Sequence, residues 1–278
     1  MEEKSRFPKP METFLVIIAG FIFVVLTTQL LLWLFVSQPE EHQKTSTIFK
    51  LLITLGEIGL IVVPIIYIKN LKLSLKDTFR WNPISLEIVF WSIIIGISMS
   101  IVGDELDRLI SLVIPAPEFL AELSAALQIH SMLDLLILFT GAVVAAAFVE
   151  ESIIRGFLQK SLETHLDVTR AVVYASLAWT IIHGVLYWAI QIFLLGILLG
   201  ILAWRANSIL PSVIGHAINN TFALVFNNIH QEKLDGLYLW GDHVSPLILL
   251  LAMAGLFYGV KSFYRYYGRP GPNHFSIN

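Results

Sequence analysis

Apolar runs about the length of a membrane crossing, separated by short polar connectors, set the pattern of this chain almost from end to end. A helix needs roughly 20 apolar residues to span the hydrocarbon core. On that rule the pattern predicts spans near 13–36, 48–68, 84–102, 132–155, 170–184, 187–204, 209–228 and 245–264. The connectors carry the breakers: "SQPEEHQK" after the first span, "KNLKLSLKDTFRWNP" after the second, "GDELDRLISLVIPAPEFLAEL" after the third, "LETHLD" after the fourth and "HQEKLDGLYLWGDH" after the seventh. The first run is too long for a signal-peptide core of about 7–15 residues, and no small-residue cleavage pattern closes it, so it reads as a retained helix. The expected fold class is all-α, a polytopic membrane bundle of about eight transmembrane helices forming a single integral membrane domain over 1–278.

Composition supports this reading. The chain is 56% hydrophobic and 14% charged, with a mean hydropathy of +0.75, where soluble domains average about 25% charged residues. There is no cysteine, which removes disulfides, thiolate metal ligands and a cysteine nucleophile. A net charge of −3 offers nothing to a nucleic acid. Lysine and arginine set the expected orientation. With the N-terminus inside, fourteen of the 18 fall on the cytoplasmic side and four (Lys44, Lys50, Arg108 and Lys233) on the other. The expected localisation is the cell membrane, multi-pass, with cytoplasmic N- and C-termini.

The stretch from Ala171 to Arg205 carries no charge before its final arginine. As one helix it would be about 50 Å long, too long for one span and short for two. The expected break is at His183-Gly184, since glycine commonly ends helices. Irregular backbone at that depth is tolerated only against protein or a water-filled cavity, so the break places His183 at a helix end inside a hollow.

The polar residues inside apolar runs are few. "FVEESIIRGF" brings Glu150, Glu151 and Arg155, with Arg155 four residues after Glu151 on the same helical face. His183 and His216 are the two histidines of eight within spans, and Asn220 follows His216 by four. Ionisable residues in a span are costly and normally face a bundle interior or aqueous cavity. One reading makes Glu150 a general base, with Glu151 held by Arg155 in support, since histidine and carboxylate are the usual acid–base pair. The other makes the glutamates structural ion pairs and the histidines and asparagine interhelical stitches. Glu150, His183 and His216 also have the ligand types of a His₂Glu zinc site, although no H-E-x-x-H helix is present.

In order, "EESIIR" (150–155), "WTIIH" (179–183) and "HAINN" (216–220) resemble the three motifs of the CPBP family: type II CAAX prenyl endopeptidases and the bacteriocin-processing or immunity proteins called Abi. The resemblance covers roughly 130–230, the expected catalytic core. Trp179 stands where the family usually has phenylalanine. The resemblance implies an intramembrane glutamate-dependent endopeptidase acting on a membrane-associated or prenylated (CAAX-type) substrate. It makes Glu150 the general base, assists it with His183, and assigns His216 and Asn220 to the oxyanion site, with no cofactor and zinc as the lesser alternative. The competing reading is a non-catalytic membrane regulator or bacteriocin immunity protein of the same fold. Because Arg155 and Lys160 follow the first motif, the site is expected to open towards the cytoplasm or laterally into lipid.

Other residues carry blander expectations. Glu57 is expected to pair or snorkel, Asp134 to reach the headgroups, and Gln191 to bond between helices. Asp167 is expected to cap the fifth span, and Asn207 or Ser208 the seventh, with Pro211 in its first turn. Gly196 and Gly200 are spaced for close helix packing.

Overall fold

Each of the eight expected runs lies on a helix in the computed structural model, which describes residues 7–35 and 46–268. His42, Lys44 and His274 lie outside the described residues. Six helices are long and apolar enough to cross a membrane: α1 (Pro10–Phe35), α2 (Thr47–Asn70), α3 (Leu86–Ser111), α5 (Met132–His165), α7 (Leu186–Ala206) and α9 (Pro246–Tyr267). A short helix, α4 (Phe119–Ala126), lies in the connector between α3 and α5. The remaining two expected runs form α6 (Val168–His183) and α8 (Leu210–Asn228). The first is only 16 residues long, and the second is diluted by Ser212, His216 and the asparagines. The protein is thus an all-α, multi-pass membrane protein. Large apolar side chains such as Leu26, Leu30, Leu250 and Leu251 face outward, as a bundle surrounded by lipid requires.

Local sequence starts the helices where it should. Ser46, Ser85, Ser131 and Asp167 each accept a backbone N–H from the first turn of α2, α3, α5 and α6, caps worth about 1 kcal/mol apiece. Ser208 accepts from the Leu210 N–H at 3.2 Å at the start of α8, while Asn207 instead closes α7 in the left-handed conformation. At the other end of α6, Gly184 adopts φ +67°, the left-handed cap expected after His183. A turn at Leu186–Trp188 then leads into α7.

α5 is the central element and touches α1, α2, α6, α7 and α8. It extends ten residues beyond the expected 132–155 because Arg155 does not end a span. Its charge is buried within the bundle, and Gln159, Leu158 and Leu162 beyond it are buried too. Two π-helical stretches, Phe139–Ala145 and Ser152–Leu158, flank the α-helical Ala146–Glu151. Such turns cluster at functional positions in helices. Glycines let neighbours close on this core. A Cβ on Gly196 would lie 3.0 Å from Ser176 Cβ, and one on Gly200 would lie 2.8 Å from Gln159 Oε1. At Gly156 it would meet the Phe79 carbonyl oxygen at 2.6 Å and its Cα at 2.7 Å. That contact is with backbone, so Gly156→Ala is expected to destabilise the protein by about 1–3 kcal/mol. A lower melting temperature in detergent checks it.

The bundle has two chemically different ends. At one, Arg80 pairs with Glu163, Ser161 Oγ donates to the Pro8 carbonyl at 2.6 Å, and the Ile209 N–H donates to the Arg80 carbonyl at 3.1 Å. At the other, Lys50 pairs with Asp134 at 2.9 Å, Ile129 donates to Asn228 at 2.8 Å, and Arg108 donates to the Asp242 carbonyl at 3.1 Å. Asp134 therefore does not reach headgroups. It is 2% exposed and also accepts from Thr47 at 2.7 Å.

Candidate active site

The two glutamates that α5 carries part company. Glu151 points into protein and is 0% exposed. Its Oε1 accepts from Arg155 Nη1 at 2.7 Å and from His216 Nδ1 at 3.0 Å. Arg155, also 0% exposed, stacks its guanidinium 4.2 Å from the Trp179 ring centroid. This ion pair is the helical i,i+4 contact that the sequence spacing predicts. Because the Glu151 carboxylate is held by a guanidinium, the His216 Nδ1 carries the proton between them and donates it. Nε2 is then the ring nitrogen left for the cavity.

Glu150, part-buried, turns the other way and lines open space. Its Oε2 accepts from the Trp179 indole N–H at 2.6 Å and lies 3.8 Å from His183 Nε2. His183 Nδ1 sits 2.8 Å from the Trp179 carbonyl. A carbonyl only accepts, so Nδ1 bears the hydrogen and Nε2 presents its lone pair or a second proton toward Glu150. At 3.8 Å the two side chains do not bond directly. A water about 2.8 Å from each completes the triangle. Asn220 Nδ2 donates one hydrogen to the Ala142 carbonyl at 2.8 Å, a group in the first π stretch. Its second amide hydrogen is left for a ligand.

Trp179 joins these parts, although the sequence presents it only as an aromatic in place of phenylalanine. It is 2% exposed, its ring meets His183 edge-on at 4.8 Å and His216 at 5.3 Å between centroids, and its N–H holds Glu150. The available signal was the indole N–H itself, since a buried tryptophan needs an acceptor and carboxylates are scarce in this membrane interior.

Two cavities meet here. One of 620 Å³ is lined by Glu57, Glu150, Asn220 and apolar residues of α2, α4 and α5. Another of 540 Å³ is lined by His183, His216, Asn220, Trp179 and by Asp104 and Asp107 of α3. Leu123 and Leu127 line both. A smaller hollow of 160 Å³ between α1, α5 and α6 also reaches Glu57, Glu150 and His183. The larger two run toward the end of the bundle that holds α4 and Lys50. That is the end opposite Lys160, and Arg155 marks no surface because it is buried. Glu57 differs from expectation too: its Oε1 is buried without a hydrogen-bond partner. Gln191 lines the second cavity against Gly103. Among the described residues no group of three or more histidines and carboxylates is arranged to hold a metal ion. Glu150, His183 and His216 thus do not converge as a zinc triad.

These features define an α-helical multi-pass membrane protein that gathers carboxylates, histidines and an asparagine around one buried tryptophan. Residues 132–222 match the model of a family described as Rce1-like, type II CAAX prenyl endopeptidase Rce1-like. The match takes in Glu150, Glu151, Arg155, Trp179, His183, His216 and Asn220, and makes this segment similar to a family of membrane proteases. No curated protein and no solved structure matches the chain.

Proposed function

We propose that the protein is a glutamate-dependent intramembrane endopeptidase, crossing the cell membrane eight times with both termini in the cytoplasm. The observation that carries the activity is the arrangement of Glu150: a carboxylate at a cavity wall, aimed by an indole N–H and facing an imidazole across the span of one water. Glu150 takes a proton from that water while the water oxygen bonds to the substrate carbonyl carbon. His183 shares the water and fixes its direction. The negative charge that develops on the carbonyl oxygen is met by His216 Nε2–H and the second amide hydrogen of Asn220. Each such donor is worth about 10²–10³ in rate. Glu150 then returns its proton to the amide nitrogen, the C–N bond breaks, and a carboxylate and an amine leave. Glu151 and Arg155 hold His216 by its other nitrogen and touch no substrate. The chemistry as drawn uses no metal. The substrate is a membrane-associated peptide or protein, the prenylated CAAX type included.

The test is cleavage of a panel of quenched apolar and prenylated peptides by purified protein, with and without a zinc chelator, beside Glu150→Gln. Hydrolysis that is indifferent to chelator and lost in the variant supports the reading. Loss on chelation with recovery on zinc overturns the metal-free mechanism. Equal hydrolysis in wild type and variant overturns the role of Glu150. Trp179→Phe keeps the packing and removes the N–H from a charged acceptor, a bond worth about 1.5–3 kcal/mol. The expected result is a roughly ten- to hundredfold lower kcat with a nearly unchanged melting temperature, read in the same assay.

A further inference from the structure

The two ends of the bundle differ in charge as well as in shape. Around the mouth of the larger cavities, residues 46–50, 104–134 and 229–245 hold nine carboxylates against three basic side chains, Lys50, Arg108 and Lys233. Two of those three are already neutralised, Lys50 by Asp134 at 2.9 Å and Arg108 by Asp104 at 3.1 Å. At the opposite end, residues 7–12, 69–87, 160–170, 205–209 and 261–268 hold ten basic side chains against five carboxylates. Basic residues are retained on the cytoplasmic side of membrane proteins. The acidic end, into which the catalytic cavities run, is therefore the extracytoplasmic one.

The cavity walls continue that charge inward. Each large cavity carries a carboxylate oxygen with no hydrogen-bond partner: Glu57 Oε1 in the first and Asp107 Oδ1 in the second. A buried carboxylate oxygen left bare in apolar surroundings is costly, and these two flank the Glu150–His183 pair. A ligand that brings its own cationic donors satisfies both. Around them the walls are apolar, with Ile53, Leu123, Leu127 and Leu224 in the first cavity. Tyr238, at the rim, donates to Asp104 at 3.0 Å. Burial and the nearby Asp104 carboxylate push its phenol above the ordinary value, so it stays a neutral donor and adds no second negative charge.

We infer that this site takes a cationic, amphipathic peptide from the extracytoplasmic side of the membrane, its basic side chains meeting Glu57 and Asp107 and its apolar face lying along the walls between α2, α4 and α8. This rests on the protease reading for what happens to the peptide, though not for how it binds. It also sets the chain apart from a prenyl-protein processor, whose substrates are made in the cytoplasm.

The absence of cysteine makes the side directly testable. Leu123→Cys, on α4 at both cavities, and Lys76→Cys, at the basic end, each give one thiol on an otherwise thiol-free chain. With a membrane-impermeant maleimide, Leu123→Cys is expected to label in intact cells and Lys76→Cys only in inverted vesicles. The reverse pattern overturns the inference. Charge preference is read as binding of a fluorescent lysine-bearing amphipathic peptide and its glutamine counterpart to Glu150→Gln protein, which keeps the cavity and blocks turnover. The lysine peptide is expected to bind tighter, and Glu57→Gln or Asp107→Asn to cut its advantage over the glutamine peptide about tenfold. Equal binding of the two peptides, or an advantage untouched by both substitutions, overturns the inference. Tight binding of the lysine peptide together with no hydrolysis by wild type would leave the binding claim standing and sink the protease reading.

Discussion

Glu150→Gln is expected to yield a protein that inserts, folds and melts like the wild type, yet hydrolyses peptide at least about a thousandfold more slowly. Positioned general bases contribute roughly 10²–10⁴ in rate, and this one also returns the proton to the leaving nitrogen, so both halves of the reaction lose their carrier. Structure predicts the retained fold. Glu150 is not part of the fully buried ion pair, its partner is a single indole N–H, and a glutamine oxygen accepts that bond as well. Single-turnover hydrolysis and a melting curve on the same preparation check the two halves of the claim. A variant that melts early would mean that Glu150 supports the fold, and its inactivity would then say nothing about catalysis.

The opposite outcome is expected at the buried pair beside it. Arg155→Ala leaves Glu151 buried and uncompensated, with His216 as its remaining hydrogen-bond partner. Removing one member of a buried ion pair costs about 3–5 kcal/mol, which is a large part of the roughly 5–15 kcal/mol that holds a typical protein folded. The variant is therefore expected to accumulate poorly and to melt far below wild type. Replacing both members by apolar residues, Glu151→Leu with Arg155→Met, removes the stranded charges together and is expected to restore much of the fold. Activity is expected to stay low, because His216 loses the carboxylate that orients it. Expression, melting and hydrolysis of the single and double variants form the check. A double variant as active as wild type would mean that the pair supports folding alone.

Much of the site is legible in the residues because the membrane makes polarity expensive. Glu150, Glu151, His183, His216 and Asn220 stand out against apolar runs, and all of them sit in one neighbourhood. Spacing alone predicts the Glu151–Arg155 contact and the end of α6 at Gly184. Direction is not legible. The sequence treats Glu150 and Glu151 as neighbours, and only the packing of α5 against α6 and α8 turns one toward Trp179 and the other toward His216. Arg155 misleads for the same reason: along the chain its charge reads as a marker of the membrane surface, while its partner lies one turn away inside. Glu57 is expected to find a partner, but α2 presents it to a cavity. The π stretches give no signal at all, since they answer to the helices packed around α5 and not to any residue type within it.

Those π stretches give α5 an unusual tolerance to change. In an ordinary helix a lost residue rotates everything beyond it by about 100° and shortens the rod by about 1.5 Å. Within 139–145 or 152–158 the helix is already wound wider than an α-helix needs. A deletion there converts a wide turn to a normal one and re-aims the residues beyond it. Deleting one position in the first stretch swings Glu150 and Glu151 together, while deleting one in the second leaves both in place and moves only the helix end at Gln159–His165. The same length change, made in one stretch or the other, separates the two glutamates from the surface they serve, so a map of tolerated insertions and deletions along this helix will be read by position and not by size.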